Sequence, residues 1–362
     1  MPRLLLHIGH PKTGTTALQS VLSANTKNLL NEASVLYPTQ TEPNEYKHSF
    51  AIPWLFEVDN AAIRRRSRLS GAPLNEMSKQ YWRSLSTEIQ QTEHDVSVIS
   101  GEGFWSAARQ ASKEQQAFAR NSLYEIADDI TVIAYLKSPA SYFLSKINQK
   151  LRNFKSVTLP RGDYLSAAIK SWESMGFNHY SWRIFDRKLL TNQDIVEDFC
   201  AHYLPNSLNT ASLTRDGIEQ TNSSISNEAL AILEEVTVAH PVLQEDVYDK
   251  RRHKIIEILK QSDKAIGGKN RPSLKESAVI AILNRSSDLN WLKKRDLYFP
   301  DIEQELINKE PDELPSSFTC VSDFCNVDTN RLADLRAETS KSIASLFRPA
   351  PQFFFWSFQR RN

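Results

Sequence analysis

The stretch that most constrains this chain is Gly9-His10-Pro11-Lys12-Thr13-Gly14-Thr15-Thr16, which follows the apolar run Leu4-Leu5-Leu6-His7-Ile8. A short apolar run ending at a glycine reads as a buried strand. After Gly14, Leu18, Val21 and Leu22 recur at helical spacing. The first 25 residues therefore predict strand, tight turn and helix. The two glycines have the G-x-x-x-x-G spacing of a phosphate-binding loop. In such a loop, backbone N–H groups and the positive end of the next helix face an anion. Gly14 lets the backbone approach closely, and Thr15 and Thr16 add hydroxyl donors. Thr15, however, stands where a nucleoside triphosphatase carries its lysine, and the lysine of this loop is Lys12, two positions before the second glycine. The pattern predicts an anion other than a magnesium-bound triphosphate.

Three further strands are predicted, at 96–100 (Val-Ser-Val-Ile-Ser), 131–136 (Thr-Val-Ile-Ala-Tyr-Leu) and around 181–185. Helical patterns lie between them. One covers 113–128. Another starts at Pro139, with Ser138 as N-cap and Phe143, Ile147 and Leu151 on one face. Strands alternating with helices predict an α/β fold, a P-loop-like core with a central parallel sheet flanked by helices, and ligands at the strand C-termini. Beyond residue 190 the signals become helical. Ala229, Ile232, Leu233 and Val236 share a face, and 241–262 and 273–294 also read as helices. The expectation is one domain over 1–362, with the nucleotide-binding α/β core at 1–190 and a mainly helical C-terminal half at 191–362 packed on it.

Charge excludes some function classes. There are 44 Lys plus Arg against 43 Asp plus Glu, a net charge of +1, so no bulk charge draws the chain to nucleic acid or to an anionic membrane. No apolar stretch approaches the ~20 residues that span a bilayer, and the N-terminal apolar run is too short for a signal peptide. Three cysteines build no disulfide framework, which fits a reducing, cytoplasmic setting. Cys320 and Cys325 have no nearby histidine or second cysteine pair, so no metal site is expected.

Pro11-Lys12-Thr13-Gly14-Thr15-Thr16 resembles the 5′-phosphosulfate loop of sulfotransferases that use 3′-phosphoadenosine 5′-phosphosulfate (PAPS), and the variant here is similar to bacterial and carbohydrate sulfotransferases. The resemblance implies that Lys12 contacts the phosphosulfate and stabilises the leaving phosphate, while Thr13, Gly14, Thr15 and Thr16 cradle the 5′ end. A second element fits. Members of that family hold the 3′-phosphate with an Arg at a strand end and a Ser eight residues on. Here Lys137 and Ser145 occupy those positions in Tyr135-Leu136-Lys137-Ser138-Pro139-Ala140-Ser141-Tyr142-Phe143-Leu144-Ser145. Lysine supplies charge without the bidentate fork of arginine. Ser138, Ser141 and Ser145 share a helix face, which a solvated serine face also explains. Weaker likeness extends to Asn222–Leu230 and Asn290-Trp291-Leu292, and Gly267–Arg271 reads as a basic loop reaching the nucleotide or as a solvated turn.

Sulfuryl transfer to a hydroxyl needs a base for the acceptor proton. Glu102, between two glycines just past the strand 96–100, ranks first, because carbohydrate sulfotransferases similar to this chain often use Glu. His48 is second. His7 and His10 are expected to shape the loop. The basic run Arg64-Arg65-Arg66-Ser67-Arg68 reads as a solvated helix face or as a contact for an acidic glycan. Trp54, Trp82 and Trp105 read as core aromatics or sugar-stacking surfaces, and the aromatic tail 353–358 as a segment docked into its own core or a partner contact. The expectation is a PAPS-dependent sulfotransferase without metal, acting on a carbohydrate or glycolipid acceptor; homo-oligomerisation stays open. A small-molecule kinase and a non-catalytic nucleotide-binding module remain alternatives.

Overall fold

The computed structural model describes residues 2–39, 47–59, 63–64, 67–152, 162–215, 225–241, 243, 250–267, 272–302, 306, 309 and 320–347. The chain forms two compact units, 1–143 with 160–223 and 280–310, and 144–159 with 224–279 and 311–362.

The first unit is α/β. Five strands, β1 (Arg3–His7), β2 (Val35–Leu36), β3 (Val96–Ser100), β4 (Asp129–Leu136) and β5 (His179–Ile184), form one sheet in the order β2-β3-β1-β4-β5. Every pairing is parallel. Leu4, Leu5 and Leu6 are fully buried, as a strand covered on both faces requires. The helices are α1 (Thr15–Ala24), α2 (Thr26–Ala33), α3 (Ile52–Phe56), α4 (Gly71–Gln91), α5 (Phe104–Gln110), α6 (Lys113–Tyr124), α7 (Pro139–Arg152), which runs into the second unit, α8 (Tyr164–Glu173) and α9 (Ile195–Tyr203). Leu18, Val21 and Leu22 of α1 pack with Leu5, Val98, Ile133 and Phe199 in one core cluster.

Strand order reverses around β1, because the chain builds β2 and β3 on one side of it and β4 and β5 on the other. The crevice at the C-terminal ends of β3, β1 and β4 is therefore the place where such a sheet takes ligands.

An ion pair with a buried carboxylate and a half-buried guanidinium ties the β5 side together. Asp198 of α9, fully buried, accepts from Arg183 Nε (2.9 Å) and Nη2 (3.0 Å), the Tyr135 hydroxyl (2.8 Å) and the Thr191 backbone N–H (3.0 Å). Burial pushes its carboxyl up, but the hydrogen bonds from Thr191, Arg183 and Tyr135 together outweigh burial and hold it below the ordinary value. Its contribution to stability is therefore present above the unfolded pKa of about 3.9 and is lost as pH falls through the lowered folded value. Asp198→Ala strands the Arg183 guanidinium and should cost about 3–5 kcal/mol, read as a lower urea midpoint. An unchanged midpoint would remove this pair from the fold's supports.

The second unit is helical in its described residues: α10 (Asn227–Ala239), α11 (Lys250–Ala265), α12 (Glu276–Arg285), which passes back into the first unit, α14 (Val321–Phe324) and α15 (Thr329–Ser345); α13 (Asp288–Lys293) belongs to the first unit. Arg331 pairs with Asp263 and lies 3.6 Å from Glu228. No described helix is long and apolar enough to cross a membrane.

Candidate functional site

The loop after β1 is bent by three left-handed residues, Gly9 (φ 53°), Lys12 (φ 70°) and Gly14 (φ 78°). Glycine takes this conformation without penalty, whereas at Lys12 it costs about 1–2 kcal/mol. Strain at a lysine in the middle of the loop after β1 is the kind of outlier that marks a site. The Thr13 hydroxyl closes the bend by donating to the His10 carbonyl at 2.6 Å. Gly14 then caps α1 with no side-chain bond. The first N–H groups of α1 have no intrahelical acceptor and face the crevice end of the helix. The Thr15 Oγ1 atom is buried with no hydrogen-bond partner among the described residues.

Gly14 and Gly9 are also needed for space. A Cβ at Gly14 would sit 3.2 Å from Ile195 and 3.5 Å from Phe185, and one at Gly9 would sit 3.0 Å from the Glu102 Cα. The Gly101 N–H donates to the His7 carbonyl at 3.0 Å. The loop after β1 and the turn after β3 are thus in backbone contact. Gly14→Ala combines the left-handed penalty with the Ile195 contact and should lower stability by about 1–2 kcal/mol. Thermal melting checks this, and an unperturbed midpoint would mean that the bend tolerates a side chain.

Glu102 follows in that turn. Its side chain is exposed, yet protein on several sides desolvates the carboxyl and raises its pKa; the charges of Lys12 and Lys47 pull the other way. Lys137 follows β4, half-buried, with Nζ 5.9 Å from the Phe185 ring centre. Desolvation lowers its pKa, the Asp301 charge opposes this, and the like charge of Lys12 lowers it further. Lys12, Glu102 and Lys137 therefore lie within electrostatic reach on loops from three adjacent strands. Two lysines that repel one another favour an anion between them.

Ser138 caps α7, its hydroxyl accepting from the Ser141 N–H at 3.2 Å. The same hydroxyl donates to Asp301 Oδ2 at 2.6 Å, and the Ser141 hydroxyl donates to that oxygen at 2.5 Å. Ser145 lies two turns along α7, at the start of the second unit.

His48 is not placed as a base. The Ser100 N–H donates to its Nδ1 at 2.9 Å, so Nε2 carries the proton and donates to the Pro38 carbonyl at 2.8 Å. Both nitrogens are engaged, the ring is fully buried, and burial drops its pKa to about 4. No lone pair is left for an acceptor's proton, and the expectation of a second candidate base is corrected on that ground. Ser100 is a hub: its hydroxyl shares a 2.8 Å bond with His7 Nδ1, and its carbonyl accepts from Gln19 Nε2 at 2.9 Å.

His7 is buried with its pKa lowered to about 4 by desolvation. His10 is lowered to about 3 by desolvation and by the Lys137 charge, and packs on Trp105, Tyr142 and Tyr164 at 4.8–5.6 Å between ring centres. All three histidines sit in the folded protein as neutral rings with pKa values below the unfolded 6.5. Their stability contribution is intact above pH 6.5 and is lost as pH falls towards 4, by up to about 1.4 kcal/mol per histidine per pH unit. Urea unfolding at pH 7 and pH 5 should show a steep loss; equal midpoints would mean that these rings are not held neutral.

Comparison with protein-family models, with curated proteins and with solved structures returned no match.

Of the other expected residues, Trp105 stays beside the loop through His10. Trp82 and Trp105 are buried. Trp54 is half-buried, with the Phe118 ring edge-on to it and Lys79 Nζ 4.9 Å from its centre. Arg64 pairs with Asp59 at 3.0 Å. Arg65, Arg66, residues 222–224, 268–271 and the aromatic tail 353–358 lie outside the described residues. Two participants were not foreseen. Lys47 stands beside His48 in sequence, and that adjacency was the available cue. Asp301 lies more than 160 residues from Ser138 in the chain, and no local pattern points to it.

Proposed function

We propose that this protein transfers the sulfuryl group of 3′-phosphoadenosine 5′-phosphosulfate to a hydroxyl of a carbohydrate or glycoconjugate acceptor. The observation that carries the reading is the convergence of Lys12, Glu102 and Lys137 on three adjacent strand-end loops. The bent loop and the start of α1 suit the 5′ end of the donor, with Thr13, Gly14, Thr15 and Thr16 around it. Lys137 suits the 3′-phosphate, the task the resemblance also gives to Ser145.

In this reaction the acceptor oxygen attacks sulfur and the bond from sulfur to the bridging phosphate oxygen breaks. Lys12 stabilises the charge that develops on that leaving phosphate. Glu102 takes the acceptor proton. The products are a sulfate ester and adenosine 3′,5′-bisphosphate. A carboxyl whose pKa desolvation raises is a better proton acceptor than an ordinary glutamate, and the charges of Lys12 and Lys47 oppose that rise. The three cysteines carry free thiols, which suits the cytoplasmic setting this reading adopts.

Thermal unfolding with adenosine 3′,5′-bisphosphate, against ATP with magnesium, tests the proposal. At concentrations well above Kd the bisphosphate should stabilise the protein by ~2–4 kcal/mol. Preference for magnesium-ATP would favour a kinase instead.

A further inference from the structure

We propose that Asp301 sets the affinity of the nucleotide site for a 3′-phosphate, its carboxylate holding the Ser138 and Ser141 hydroxyls beside Lys137, donors that a phosphate on Lys137 would also take. This inference rests on the sulfotransferase reading above. Asp301 Oδ2 accepts from the Ser138 hydroxyl at 2.6 Å and the Ser141 hydroxyl at 2.5 Å. Its charge also acts on Lys137. A protein carboxylate thus engages the donors and the cation at the start of α7 that suit a phosphate.

A simpler role, capping α7, does not account for these bonds. The cap is already made, because the Ser138 hydroxyl accepts from the Ser141 N–H. The same stretch of chain supplies a true carboxylate cap for comparison. Asp288, buried, accepts from the backbone N–H groups of Leu165 and Ser166, both at 2.8 Å, at the start of α8. Asp301 instead accepts from the side-chain hydroxyls of Ser138 and Ser141, and its own side chain is exposed. The turn that carries it is anchored on both sides by Phe299 and Ile302, both buried, and is closed by the Ile302 N–H to the Phe299 carbonyl at 3.2 Å. The anchors hold while the carboxylate stays at the boundary with water, where a ligand can replace it.

Carboxylate and phosphate exclude one another here. A phosphate monoester carries close to two negative charges and three acceptor oxygens. It competes for the same hydroxyls and for Lys137, and repels Asp301 if both remain. The 3′-phosphate therefore binds by displacing Asp301, and its affinity is reduced by that exchange. A nucleotide without a 3′-phosphate has no such exchange to make.

Isothermal titration of wild type, Asp301→Asn and Asp301→Ala with adenosine 3′,5′-bisphosphate and with adenosine 5′-phosphate separates the outcomes. The expected result is about tenfold tighter bisphosphate binding by both variants, with adenosine 5′-phosphate affinity changed less than twofold. Asp301→Asn keeps the shape of the side chain, so it guards against a packing defect in the alanine variant. If wild type binds the bisphosphate and the variants bind it equally or more weakly, the competition is refuted and the functional reading survives. An equal gain for both nucleotides also overturns the inference, because the 3′-phosphate is then not the competitor. Absence of binding to all three proteins ends the functional reading and this inference together.

Discussion

Lys12→Met should lower sulfuryl transfer from labelled donor by about 10³-fold while changing the Kd for adenosine 3′,5′-bisphosphate less than tenfold. The asymmetry follows from where the charge forms. In the proposed reaction the ground-state donor is an anion held by several groups, the α1 N-terminus and Lys137 among them. In the transition state, negative charge grows on the bridging oxygen, and one cation placed there is worth several kcal/mol. Methionine removes the amine and keeps the length of the side chain. It also meets the same left-handed penalty at φ 70°, so the stability of the variant should match wild type. Transfer to a panel of glycan acceptors, measured beside nucleotide titration, checks both halves. Undiminished transfer would remove Lys12 from the chemistry.

Glu102→Gln should cost 10²–10⁴-fold in turnover, the usual worth of a positioned base, with nucleotide binding retained. A structural readout separates this loss from misfolding. Because desolvation raises the folded pKa of Glu102, ionising it works against the fold, and stability falls as pH rises through the window between its ordinary and raised values. The neutral glutamine avoids that cost, so the variant should melt at or above the wild-type temperature at pH 7. The acidic limb of kcat/KM should also have its midpoint above the ordinary glutamate value of about 4.3. A variant that transfers normally would show that another group takes the proton.

The sheet was legible because burial of a parallel strand leaves an apolar run. Strands β1, β3, β4 and β5 fall on the stretches that pattern singles out, with β1, β4 and β5 beginning one or two residues earlier. Strand β2 has two residues and leaves no run to read. Helix α4 was missed although Leu74, Tyr81, Leu85 and Ile89 share its buried face, because polar residues dominate the rest of its 21-residue length. In the candidate site, Lys12, Glu102 and Lys137 each lie in the loop after a strand that the pattern reveals, within five residues of its end, so local sequence fixes which strand end each one follows. The engagement of both His48 nitrogens was not legible, since one partner is a carbonyl and the other an N–H from a distant strand. Backbone groups carry no signature in a side-chain pattern.

Ladder geometry in the middle of the sheet has a consequence for how this molecule can diversify. Neighbouring strands stand about 4.8 Å apart, so the bases of the three loops are spaced by backbone pairing that any sequence able to form the strands reproduces. Helices and outer turns can then be exchanged to suit a new ligand without disturbing the ruler that sets lysine, glutamate and lysine apart.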